Sequence, residues 1–88
     1  MANPIFKNCT VNAWTKVATA VTAGMIKVAD FSPSAYLETY RMTGEAAPTT
    51  EDEGIAMVET EPLIISATAA IDVYLYAKGA AGRVRCDL

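Results

Sequence analysis

"AAIDVYLYAKGAAGRVRCDL", residues 69–88, decides how this chain is read. Apolar residues alternate with Tyr, Asp and Arg, which is the period of a half-buried strand. Small residues interrupt the alternation at "KGAA" before Gly82, where a tight loop needs positive φ angles. The segment therefore predicts two strands joined as a hairpin. Pairing Leu75 with Val84, Val73 with Cys86 and Ile71 with Leu88 puts every apolar residue on one face. The opposite face then pairs Tyr76 with Arg83 and Tyr74 with Arg85, favourable ring–guanidinium neighbours. This register sets Asp72 against Asp87, with Arg85 on the diagonal from Asp72.

The same pattern runs outward through the chain. "IFKNCTVNAWTKVATAV" (5–21) lacks Gly and Pro and is rich in Val and Thr, so it reads as one long strand or two short ones. Thr22–Gly24 is a turn signal, and "MIKVADF" follows as a strand. Pro33 in "SPS" (32–34) has no amide hydrogen for a ladder and breaks it. "AYLETYRM" (35–42) alternates again. Residues 43–54, "TGEAAPTTEDEG", read as the clearest loop, and a mobile, solvated loop is expected within the acidic stretch Glu45–Glu61. Short strands begin at Ile55 and Pro62. Short strands with turn signals every ~8–12 residues predict an all-β fold. We expect one domain over residues 1–88, a small antiparallel β-sandwich or barrel of about six to eight strands.

Length and composition narrow the function. A chain of 88 residues buries a limited core, and self-association is one remedy. Seven Lys and Arg against ten Asp and Glu give a net charge of −3, which argues against nucleic acid as a partner. No run approaches the ~20 apolar residues of a membrane span. "MANPIFKNC" lacks the basic and apolar regions of a secretion signal, so a cytosolic site of synthesis and assembly is expected. Cys9 and Cys86 read as two separate buried thiols, although neighbouring terminal strands would bring the sulfurs close.

Chemistry is scarce. The chain has no histidine, which removes the commonest general base and metal ligand together. "AKGAAG" lacks the glycine pattern of a phosphate loop and reads as a hairpin tip. Glu51–Glu53 is the best metal candidate, yet it lacks the alternate-oxygen spacing of a calcium loop and reads as solvated like charges. Glu38, Glu59, Glu61 and Asp72 are carboxylates that a glycosidase-like site would pair, but 88 residues without a large cleft disfavour it. No catalytic residue, cofactor or metal is expected, and the chain reads as a non-enzyme. The candidate interface residues are Trp14, Tyr74, Tyr76, Arg83 and Arg85. Trp14 reads equally as a core residue with its indole N–H bonded or as an interface anchor. Tyr36, Tyr40, Tyr74 and Tyr76 are expected to form a partly exposed aromatic surface.

Three stretches carry a resemblance: "NAWTKVATAVTAG" (12–24), "YRMTGEAAPTTEDEG" (40–54) and "IDVYLYAKGAAGRVRCDL" (71–88). Together they resemble the small virion structural proteins of tailed bacteriophages, head-decoration and cement proteins in particular. That resemblance implies a compact β-fold that associates with copies of itself or docks on a capsid or tail, with other virion proteins such as the major capsid protein as partners; a homo-oligomer is expected, a trimer if it decorates capsid three-fold positions. It implies assembly in the host cytoplasm and no cofactor. Two other readings compete. One is a small regulatory or inhibitory module that binds one host protein through its acidic stretch. The other is a carbohydrate-binding module using the tyrosines.

Overall fold

A computed structural model describes residues 5–29, 35–57 and 61–87. Six strands follow in chain order: β1 Ile5–Cys9, β2 Trp14–Val28, β3 Ala35–Met42, β4 Ile55–Met57, β5 Leu63–Lys78 and β6 Gly82–Asp87. A single 3-10 turn, Glu51–Glu53, is the only helical element among the described residues. The all-β architecture expected from the sequence is what forms. It is one antiparallel sheet in the order β1-β6-β2-β5-β3-β4, and it does not close. The expected break at Ser32–Ser34 lies outside the described residues.

The expected closing hairpin is not made. β5 pairs with β2 and β3, while β6 pairs with β1 and β2. Leu75 faces Thr15 and Glu38, and Val84 faces Lys7 and Val28. The Ile71–Leu88 pair falls partly outside the described residues, and Ile71 instead faces Val21 and Met42. Asp72 does not meet Asp87. It lies in register with Arg41, and Asp87 with Met25.

Chain geometry explains how β2 comes between two strands that are neighbours in sequence. Tyr76 pairs with Trp14 and Val84 with Val28, at opposite ends of the 15-residue β2. A straight strand of that length would span roughly 45 Å. Eight residues of connecting chain reach at most ~28 Å, and the longest axis of the molecule is 32 Å. β2 must therefore bend, and its backbone does so locally. The β2–β5 register shifts between Lys16 and Ala18, between Ala18 and Val21, and between Val21 and Ala23. Ala20 sits at φ 52° and Gly24 at φ 148°. Bulges of this kind let a strand turn a corner and carry the sheet around onto itself. The turn expected at Thr22–Gly24 is thus a bend inside one continuous strand.

The coiled sheet wraps its inner face around Val17, Ile26, Val28, Tyr36, Val73, Leu75 and Val84, all at most 3% exposed. The inward set expected from the alternation, Val73, Leu75, Val84 and Cys86, is buried as a whole. On the other face Arg83 and Arg85 are exposed, as read from the sequence. Tyr74 is not: it is only 4% exposed. Its strand is central, and Lys16 and Thr39 stand directly beside it on the flanking strands. The Lys16 ammonium lies 5.7 Å from the centre of the Tyr74 ring, so the long lysine stem covers it.

Cys9 and Cys86 are free, buried thiols. Cys9 faces Gly82 and Cys86 faces Ile5, an offset of four residues along paired strands. At a rise of ~3.3 Å per residue that offset exceeds the ~7 Å Cα limit for a disulfide. Burial, with a smaller contribution from Cys86, pushes the Cys9 thiol up to about 11 from 9.0. An unfolded chain releases this proton near pH 9 and the folded one near pH 11. The contribution of this thiol to stability is therefore full below pH 9, and roughly 2–3 kcal/mol of it is lost between pH 9 and 11. Urea melts at pH 8 and pH 11 measure this fall, and both thiols should resist alkylation at pH 8 until the chain unfolds.

Candidate functional site

The acidic loop is anchored to the sheet. Trp14 Nε1 donates to the Thr50 carbonyl at 3.0 Å, and the indole meets Tyr76 edge-on at 5.3 Å between ring centres. The Glu53 carboxylate accepts from the amides of Thr49 at 2.6 Å and Thr50 at 3.0 Å, and from Arg41 Nη2 at 2.6 Å. Those amides, and secondarily the guanidinium, hold the Glu53 carboxyl below its ordinary range. Glu51 pairs with Lys78 at 3.2 Å. The segment is exposed, as expected, but it is pinned at both ends of its helical turn rather than loose. Glu51 and Glu53 turn to separate cations, Lys78 and Arg41.

Gly54 makes the Trp14 contact possible. A Cβ there would lie 2.5 Å from Trp14 Cη2 and 3.0 Å from Leu37 Cβ. The Gly54 backbone is extended at φ −107°, so the demand is for space rather than for an unusual conformation. Gly54→Ala should cost about 1–3 kcal/mol by overpacking. A lower urea midpoint with a red-shifted indole emission is the expected result.

The five candidate interface residues separate into two groups. Trp14 and Tyr76 pack on each other, and Tyr74 is buried, so these three serve the sheet and its acidic loop. With Tyr36 fully buried as well, the expected aromatic surface is absent and only Tyr40 is substantially exposed, at 40%. The expected partners change too: Tyr76 meets Trp14 and not Arg83, and Tyr74 meets Lys16 and not Arg85. Arg83 and Arg85 remain on the surface. Arg83 stacks over Phe6 at 4.9 Å, and Arg85 pairs with Asp87 at 3.1 Å.

No family model, curated protein or solved structure matches this chain.

Two surface features were missed in the sequence. The first is an apolar rim where the sheet fails to close. Ile55 is 71% exposed, Ile64 63%, Met42 48% and Tyr40 40%. A depression between β3 and the first half of β5 is lined by Tyr40, Ile64, Ile65, Ser66, Ala67 and Ile71. Glu38 stands near it on the same face as Tyr40. Burial raises the Glu38 carboxyl, and the hydrogen bond with Tyr40 partly offsets this. The Tyr40 phenol is pushed up to about 12 by burial and by Glu38. The second feature is a cation-rich face: Lys27 of β2 joins Arg83 and Arg85 of β6 on one exposed side of the sheet. Both arise from strands distant in sequence, so neither shows as a linear motif.

Proposed function

We propose that this chain is a non-enzymatic structural subunit of a tailed-phage virion, of the head-decoration or cement type. It works by associating with copies of itself and docking on other virion proteins such as the major capsid protein, and it is assembled in the host cytoplasm. The observation that carries this reading is the apolar rim of the unclosed sheet, where Ile55, Ile64, Met42 and Tyr40 are 40–71% exposed. Exposed apolar side chains beside unpaired strand edges favour association over isolation. Three of the carboxylates are engaged in the fold. Asp72 is buried among hydrogen-bond partners, and Glu53 and Glu51 are held by cations. The carbohydrate-binding alternative loses support, because its tyrosine platform is absent.

The test is particle composition. Quantitative mass spectrometry of purified virions should find this chain at a copy number comparable to the shell protein. Its absence from particles, with co-purification of one host protein, would overturn the reading and favour a regulatory module.

A further inference from the structure

The chain segregates its charge. Phe6, Lys27, Arg83 and Arg85 share one outer face of β1, β6 and the end of β2. Lys27 stands directly opposite Arg85 in the β2–β6 register, an unfavourable like-charge pair. Asp87 is the one carboxylate paired with this face among the described residues, and it engages Arg85 alone. At the other end of the strand order, the β3–β4 connection exposes Glu45, Glu51, Asp52 and Glu53. Arg41 and Lys78 meet Glu53 and Glu51, whereas Glu45 and Asp52 have no cation within ion-pair distance among the described residues. Each end also carries an apolar anchor beside its charge. Phe6 is 51% exposed under Arg83, and Ile55, immediately after the acidic turn, is 71% exposed.

We propose that the occupant of the basic face is the acidic β3–β4 segment of a second copy of this chain. Glu45, Glu51 and Asp52 of one copy neutralise Lys27, Arg83 and Arg85 of the next, and Ile55 packs on Phe6. The two patches differ, so the contact is heterologous and propagates head to tail into a ring or a filament. Opposed potentials of this kind align the partners and reject a face-to-face pairing of like patches. The inference rests on the assembly-subunit reading and names the contact that would drive it.

Two surface variants test it: Arg83→Glu with Arg85→Glu, and Glu51→Arg with Asp52→Arg. Circular dichroism melts first establish that both fold. In sedimentation at 50 mM salt, the wild type should associate and each variant alone should bind itself at least tenfold more weakly. An equimolar mixture should re-associate, because each reversed patch then meets a complementary one. Raising salt to 500 mM should dissociate the wild type, since screening shortens the reach of these charges. Variants that associate like wild type would overturn the proposal while leaving the subunit reading intact. So would a mixture that stays apart, or a wild type that stays monomeric. Binding of a labelled oligonucleotide, lost in Arg83→Glu with Arg85→Glu while sedimentation is unchanged, would assign the face to nucleic acid and also overturn it. The virion copy number described above judges the subunit reading separately.

Discussion

Val84→Asp is expected to leave the protein largely unfolded at 25 °C. Val84 is fully buried between Lys7 of β1 and Val28 of β2, with its side chain in the common core. An aspartate there places a carboxylate among apolar neighbours. Burying such a group without a partner costs several kcal/mol. Small domains have a total stability of only ~5–15 kcal/mol, and one this size lies toward the low end. The neighbouring change Arg85→Glu provides the comparison. Arg85 is exposed, and its ion pair with Asp87 is a surface pair worth ~1 kcal/mol or less. The new glutamate would also stand opposite Lys27 and regain some attraction. Urea melts followed by circular dichroism should show a near wild-type midpoint for Arg85→Glu and no cooperative transition for Val84→Asp. Tolerance of Val84→Asp would mean that β6 turns its other face to the core.

That comparison depends on which face of β6 is inside, and the face was legible where the pairing was not. Period-2 alternation in "DVYLYA" and "RVRCD" depends on pleating alone, so it marks Val73, Leu75, Val84 and Cys86 whatever strand lies alongside. Partner choice depends on β2, whose bend centres on Ala20. An alanine at φ 52° announces nothing, because the left-handed conformation is normally signalled by Gly or Asn. Asn12, at φ 51°, is the contrasting case. Its type suits that conformation, and its Oδ1 accepts from the Gly79 amide at 3.2 Å. The acidity and exposure of Glu51–Glu53 were equally plain. The Trp14–Thr50 hydrogen bond that holds them joins residues 36 apart, beyond any local pattern. Tyr74 was misplaced because alternation assumes that the second face of the sheet meets water. On a central strand, Lys16 and Thr39 cover it.

Asp72→Ala is expected to be the most damaging polar substitution, lowering Tm by about 10 °C or more. Its alternating neighbours disguise Asp72 as a surface residue of β5, yet it is 2% exposed. The carboxylate accepts from the Ala20 amide at 2.9 Å and from Thr43 Oγ1 at 3.2 Å, and it pairs with Lys16 at 3.5 Å. Ala20 is the residue at which β2 leaves regular geometry, so its amide is turned away from the ladder and needs another acceptor. Asp72 supplies that acceptor and so holds the corner that places β6 beside β2. Removing it takes the acceptor from a part-buried N–H at a residue held at positive φ. Asp72→Asn keeps a side-chain carbonyl for Ala20 and loses only the charge facing Lys16, so its Tm should fall less. The pH dependence follows from the same contacts. The Ala20 amide, then Lys16 and Thr43, hold the Asp72 carboxyl below its usual 3.8. As pH falls, the unfolded chain therefore takes up this proton before the folded one does. The stabilisation is complete above pH ~4 and is lost as pH drops through the lower folded value. In Asp72→Asn this part of the acid destabilisation should disappear, so thermal melts from pH 6 to pH 2 should converge on wild type at the acid end. Parallel curves for the two proteins would mean that Asp72 does not titrate with folding and that its carboxylate is not the clamp of the bend.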